Sequence, residues 1–367
     1  LLDEPSNHLD ISARQRLYQF VQSVQSTLIV VSHDRTLLNL LNTVCELGKH
    51  GIKVYGGNYD FYTEQKGLEL AAWTQDVQST EKALRKAKEK ERETLERQQR
   101  LDSRGRGKQE KAGVAKIMMN TLRNKAENST ARLKSVHGEK ISGISQQLQD
   151  LRSVLPDTDK MKFGFDDSKL HRGKVLFAAQ HINYSFGTQP LWKNGLSLQI
   201  RSGERIALGG DNGSGKTTLI NLVLGLSEPF TGTIYRAHSK SVYMDQDYSL
   251  INDRLTVYAQ AEHFNSSARP QHEIKIRLNR FLFDKDDWDK PCQALSGGEK
   301  MRLLLCCLNI NHESPDLIIL DEPTNNLDIQ NVEILSAAIN DYRGTLIAVS
   351  HDETFLDAIN IDRTIQL

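Results

Sequence analysis

No apolar run in the sequence approaches the roughly 20 residues that a membrane-crossing helix needs. Runs such as Leu303–Leu308 and Leu317–Leu320 fall far short, which excludes a transmembrane helix. Cysteine is scarce: Cys45, Cys292, Cys306 and Cys307 include no C-x-x-C pair and stand in apolar or helix-like surroundings. That pattern predicts buried thiols in a reducing compartment, the cytoplasm, and argues against a disulfide framework or a thiolate metal site. Phe, Trp and Tyr are absent between Trp73 and Phe163, so this stretch has no aromatic platform on which a base can stack. The chain also opens without Met, so the lack of a leader says nothing about targeting.

An excess of charge of either sign is lacking as well, 47 Lys and Arg standing against 47 Asp and Glu. The balance is a cancellation between segments. Residues 80–140 hold 18 basic and 9 acidic side chains, and the rest of the chain offsets them. With 367 residues, 38% of them apolar, there is material for two or three globular domains.

What is present is a repeat. Leu2-Asp3-Glu4-Pro5-Ser6-Asn7-His8-Leu9-Asp10-Ile11 returns as Leu320-Asp321-Glu322-Pro323-Thr324-Asn325-Asn326-Leu327-Asp328-Ile329. Ser32-His33-Asp34 returns as Ser350-His351-Asp352, both blocks at an offset of 318 residues. One offset for two blocks leaves no insertion between them, the signature of a duplicated domain. Only the second copy follows a glycine-rich loop, Gly210-Asp211-Asn212-Gly213-Ser214-Gly215-Lys216-Thr217; the first opens in mid-motif and reads as the C-terminal remnant of a domain.

Three segments follow. Residues 1–58 predict the end of an α/β domain: a helix over Ile11–Val24, a buried strand over Thr27–Val31, then a second helix and a hairpin turned by Gly56-Gly57-Asn58. Residues 59–174 predict a basic hairpin of two antiparallel helices, broken at Ser103-Arg104-Gly105-Arg106-Gly107 and ended near Pro156, with an extended connection after it. Residues 175–367 predict a complete α/β nucleotide-binding domain.

The chemistry lies in that third segment. Gly210–Thr217 follows the strand-like run Arg205-Ile206-Ala207-Leu208 and leads into a helix through Thr218. Glycines in that setting let backbone N–H groups close round phosphate oxygens, Lys216 reaches the terminal phosphates, and the Thr217 hydroxyl can ligate Mg²⁺. Leu317–Leu320 predicts a buried parallel strand ending in Asp321, near the Mg²⁺, and Glu322, placed to orient or deprotonate an attacking water. A bare Asp-Glu pair is ordinarily just solvated, but here it lies downstream of a phosphate loop, and His351 follows another apolar strand, Thr345–Val349. Leu295-Ser296-Gly297-Gly298-Glu299 opens a further helix and forms a second anion-binding terminus, or a plain cap.

Taken in that order, the motifs resemble the ATP-binding cassette domain, a P-loop α/β fold. The resemblance implies that Gly210–Thr217 and Thr218 bind ATP and that Gln246 belongs to the Gln loop, serving Mg²⁺ with Thr217 and Asp321. It further implies that Ser296, Gly297, Gly298 and Glu299 form the signature facing the ATP of a partner cassette, that Glu322 and His351 are catalytic, and that Phe186 stacks on adenine, a core aromatic being the other reading. Two cassettes joined by a charged helical linker resemble the ABC-F class, whose members act on the translating ribosome. Glu322–Asp328, Glu4–Asp10 and the Gly57-Asn58-Tyr59 entry to the linker carry that likeness.

From it we expect an ATPase with the ribosome as partner, the hairpin touching rRNA or tRNA through Arg100, Arg104, Arg106, Lys108 and Lys111 by shape and phosphate contact. Antibiotic-resistance ribosome protection and a transporter ATPase subunit are the alternatives. The first copy retains Asp3, Glu4 and His33 but neither loop nor signature, so no composite site is expected to close within this chain unless two copies pair head to tail.

Overall fold

The computed structural model describes all residues except 8, 49–50, 112–115, 155–170, 188 and 312–313. These residues form two compact units, Leu1–Tyr59 with Asp157–Leu367 in one and Asp60–Pro156 in the other.

In the first half, β1 (Leu2–Asp3) leads through the acidic loop to α1 (Ile11–Ser23), then β2 (Val30–Val31), α2 (Arg35–Asn39) and a hairpin of β3 (Thr43–Gly48) and β4 (Gly51–Gly56). Three expectations need correction. The strand after α1 is only two residues long and poorly covered, with Ile29 and Val31 exposed, because β1 is its one described strand neighbour. The hairpin turns between Gly48 and Gly51, not at Gly56–Asn58, which instead end β4 and lead into the next helix. Cys45, paired with Val54 in that two-stranded ribbon, is exposed, whereas Cys292, Cys306 and Cys307 are buried.

The second unit holds α3 (Tyr59–Lys111) and α4 (Lys116–Val154). α3 runs straight through Ser103–Gly107, where a break was expected. Two glycines at about 1 kcal/mol each do not stop a helix otherwise rich in Glu, Lys, Arg and Gln and free of proline.

The other half begins with β5 (Val175–Asn183), the short pair β6 (Ser185–Phe186) and β7 (Gln189–Pro190), then β8 (Leu196–Arg201), β9 (Arg205–Gly209), α5 (Lys216–Leu224), β10 (Thr231–Arg236) and β11 (Ser241–Met244). After these come α6 (Val257–His263), α7 (Gln271–Arg280), α8 (Gly297–Ile310), β12 (Leu317–Asp321), α9 (Ile329–Asp341), β13 (Thr345–Val349), α10 (Glu353–Ala358) and β14 (Arg363–Gln366). A parallel sheet of order β11-β12-β13-β9-β14 stands apart from an antiparallel sheet of order β10-β5-β8.

The apolar runs of β12 and β13 are continuous because both faces of the parallel sheet are covered. Leu317, Ile319, Ile347 and Val349 pack with α5 and the antiparallel sheet. Ile318, Leu320, Leu346 and Ala348 pack with α8 and α9 on the opposite face. Parallel strands point the same way, so the segments after β9, β11, β12 and β13 leave along one edge, the edge where ligands bind in such sheets. Among the described residues no helix is long and apolar enough to cross a membrane.

Candidate active site

The loop after β9 is the first wall. Gly210 has φ 143° and Gly215, the N-cap of α5, φ 101°, and a Cβ on Gly215 would come within 2.6 Å of the Leu191 side chain. That backbone leaves the first N–H groups of α5 aimed into the loop, an anion cradle. Buried Lys216 spans it, Nζ donating to the carbonyls of Gly210 at 2.6 Å and Asp211 at 3.1 Å. Asp211, Asn212, Gly213 and Thr217 are exposed on the loop, while Ser214 and Thr218 are half-buried. Trp192, unremarked in the sequence, clamps the loop from behind: its indole Nε1 donates to the Ser214 carbonyl at 3.0 Å, and Asn183 Nδ2 donates to the Trp192 carbonyl at 2.6 Å.

Trp192→Phe keeps the buried ring and deletes that donor. At about 1 kcal/mol for a net hydrogen bond, ATP affinity is expected to fall about fivefold, read by titration with a fluorescent ATP analogue. Unchanged affinity would reduce Trp192 to core packing.

The second wall comes from the ends of β12 and β13. The Glu322 backbone lies in the left-handed region, φ 49°, with its N–H bonded to the Val349 carbonyl at 2.8 Å, and this turn carries the carboxylate toward the loop after β13. There Glu322 Oε1 stands 3.3 Å from His351 Nε2, and both atoms are buried without a hydrogen-bond partner. Burial, with Asp321 adding to it, pushes the Glu322 carboxyl up to about 7. Burial, then the Lys216 and Arg14 cations, hold the His351 imidazole down to about 4, so it is neutral. Asp321 is also raised by burial, against the opposing hydrogen bond from Tyr243, whose hydroxyl donates to Oδ2 at 2.7 Å.

The first half repeats this framework. Asp3 pairs with Val31 as Asp321 pairs with Val349, the offset of 318 holding to the residue. Glu4 has φ 42°, and its Oε1 lies 3.4 Å from His33 Nε2. Asp10 caps α1 as Asp328 caps α9, and Asp34 caps α2 as Asp352 caps α10. The two acidic loops face each other across a cavity of about 280 Å³ whose lining includes Glu4, His33, Asn326 and Asp352. A second cavity of about 160 Å³ is lined by Asn212, Gln246, Glu322, Asn325 and His351 of one half and by Leu9 and Arg14 of the other. Asp10, held below the usual carboxylate range by the Ala13 N–H and the Ser12 hydroxyl, also lies against the Asn212 backbone N–H.

Of the expected site residues, the fold thus gathers Asn212, Gln246, Glu322 and His351 at one cavity, with Lys216 acting on the two catalytic candidates by charge. Ser296, Gly297, Gly298 and Glu299 line neither cavity. Ser296 caps α8, accepting from the Glu299 N–H, and the Glu299 carboxylate in turn accepts from the Ser296 N–H at 2.7 Å while pairing with Lys290. Phe186 lies in β6 opposite Gln189, its side chain outside the described residues, as are those of Arg106, Lys108 and Lys111; Arg100 and Arg104 are exposed.

The family model described as ABC transporter matches residues 193–325. The protein named ABC transporter F family member 5 of Arabidopsis thaliana is 32% identical over 378 residues, spanning 100% of this chain and 48% of its own length. The protein named ribosome protection protein VmlR of Bacillus subtilis (strain 168) is 30% identical over 362 residues, 97% of this chain and 62% of its own. This chain therefore spans between 48% and 62% of these relatives. A solved structure described as the archaeal ribosome recycling factor aABCE1 in complex with the ribosomal stalk protein aP1 superposes with a TM-score of 0.56 at 20% identity, over 99% of this chain and 56% of that one. At that identity the likeness is one of fold.

Proposed function

We propose, for a chain that belongs to the F class of the ATP-binding cassette family, that the half carrying Lys216 binds and hydrolyses Mg-ATP with the first half docked against it, and that the whole protein acts on the ribosome in the cytoplasm. The carrying observation is the 160 Å³ cavity, where Gln246, Glu322 and His351 meet the phosphate loop beside residues of the first half. In this reading the Gly210–Thr217 cradle and Lys216 take the phosphates. Glu322 orients the attacking water and accepts its proton, the raised carboxyl suiting a base that works near neutral pH. His351, kept neutral, has an unpartnered Nε2 turned to the same place.

The orphaned Ser214 Oγ and the half-buried Asp321 carboxylate fit a hydrated cation beside the phosphates, so Thr217, Gln246 and Asp321 would hold Mg²⁺. When bound, Mg²⁺ supplies neutralisation of the charge that builds on the phosphates. The signature, lining neither cavity, would serve a nucleotide held by another phosphate loop, in a partner cassette or in a second copy paired head to tail.

The ribosome as partner is favoured by the name of the Bacillus relative and by the hairpin. α3, with 53 residues, is about 80 Å long at 1.5 Å per residue. Between Arg97 and Lys134 the sequence has 11 basic against 3 acidic residues. A long helix leading into a basic stretch without aromatics suits a crevice lined by phosphates, in rRNA or tRNA.

Replacing Arg100, Arg104, Arg106, Lys108 and Lys111 with Gln keeps long, helix-compatible side chains and removes five charges. ATP binding is expected to persist while ribosome affinity falls and its salt dependence flattens. Pelleting with ribosomes across a salt series checks this. Equal binding at every salt concentration would make the hairpin an inert spacer.

A further inference from the structure

We propose that Arg14 is a positioning residue which the first half lends to the hydrolytic pocket of the second, and that its absence from the mirror position makes the two halves unequal. The inference rests on the roles given above to Lys216, Glu322 and His351. Arg14 lies in the first turn of α1. Its Nε donates to the Leu9 carbonyl at 3.2 Å and its Nη1 to the His351 carbonyl at 3.3 Å, with Asp34 Oδ2 at 3.8 Å from the same nitrogen. Only 13% of the side chain is exposed.

One guanidinium therefore ties together the acidic loop of the first half, the turn after β2 and the turn after β13. The anchor is itself fixed, since Asp34 accepts from the Tyr18 hydroxyl at 2.7 Å and from the Leu37 N–H at 3.0 Å. A planar fork holds two carbonyls in one geometry, which a lysine ammonium on a flexible stem does not reproduce.

The same side chain forms a wall of the 160 Å³ cavity. Its charge is felt there by Glu322 and His351, together with that of Lys216 and of Asp321, Asp10 and Asp211. At the offset of 318 residues Arg14 corresponds to Val332 and Tyr18 to Ser336, although Asp34 still corresponds to Asp352. The Glu4–His33 pair accordingly receives no guanidinium from the equivalent position of the second half. This one-sided tie differs from the Arg35–Glu333 ion pair, 3.0 Å long, which also joins the halves but is more exposed and touches neither Glu322 nor His351.

The test uses the full chain, measuring single-turnover hydrolysis of saturating Mg-ATP and the affinity for a non-hydrolysable ATP analogue, in wild type, R14Q, R14K, R35Q and E322Q. R14Q is expected to slow turnover about tenfold or more, the loss of a charge-assisted bond, with analogue affinity within about twofold, while R35Q turns over as wild type. R14K, which keeps the charge, is expected between wild type and R14Q. It is read in place of R14Q should that variant fail to fold, and wild-type turnover in it then overturns the proposal. Wild-type turnover in R14Q, or equal losses in R14Q and R35Q, also overturns it, since Arg14 would then be no more than a tie between halves. E322Q separates the two levels: if it hydrolyses as wild type, the reading of the site fails and the role of Arg14 with it. If E322Q is silent and R14Q normal, only the role of Arg14 is lost.

Discussion

Lys216→Ala is expected to remove measurable nucleotide binding, the largest effect of any single substitution in this chain. The ammonium is buried and donates to the carbonyls of Gly210 and Asp211, so without ligand it already holds the phosphate loop in its curled form. With a triphosphate in the cradle, the same group is the loop's own cation, since Arg14 belongs to the other half and is engaged by Leu9 and His351. Backbone N–H groups remain in the variant, but each neutral bond contributes about 1 kcal/mol net, against roughly 1.5–3 for each bond to a charged group. Losing two such bonds predicts about a hundredfold or greater fall in affinity, beyond the range of an ordinary titration with a fluorescent ATP analogue and Mg²⁺. Binding at wild-type strength would take the loop out of the site altogether. The trans-loop bonds are internal to one short segment, so the melting temperature should change little.

What the sequence made legible was local or repeated. β12 and β13 could be read to the residue because a strand buried on both faces is apolar at every position, as Leu317–Leu320 and Leu346–Val349 are. The duplication carried register as well: Leu2 opposite Val30 mirrors Leu320 opposite Ala348, and the Glu–His spacing recurs within 0.1 Å. Coverage was not legible, because it is tertiary. Ile29 and Val31 are as apolar as their counterparts Ile347 and Val349, yet exposed, and nothing within Thr27–Val31 distinguishes the two cases. Glycine misled twice, being read as a stop at Ser103–Gly107 and as a turn at Gly56–Asn58. Helix propensity summed over the neighbours outweighs two glycines in the first case, and in the second the ladder ends where the following helix begins. Arg14 gave only a faint signal: the two copies stop matching after Ile11 and Ile329, so Arg in place of Val332 is one difference among several along that helix. Trp192 gave no such signal, since its grip on Ser214 joins positions that only folding brings together.

Glu322→Gln is expected to leave ATP binding within about twofold of wild type and to slow hydrolysis at the Lys216 site by about 10² or more, the usual worth of a positioned general base. The geometry supports the isosteric swap. Glu322 holds its left-handed backbone through the bond from its N–H to the Val349 carbonyl, which the side chain does not influence. An amide fills the same space at the cavity wall. What it cannot do is accept the proton of an attacking water, and it brings a neutral dipole to the 3.3 Å gap facing His351. Burial already disfavours the carboxylate, so replacing it with a neutral group should not lower the melting temperature, and a loss of activity cannot then be laid to unfolding. On the ribosomal role proposed above, the variant of the whole protein should accumulate on ribosomes with ATP bound and slow translation, since release would wait on a step it cannot perform. Single-turnover hydrolysis followed beside analogue binding decides the matter: turnover equal to wild type, with binding intact, would transfer the proton to another group at this cavity and leave Glu322 as part of its wall.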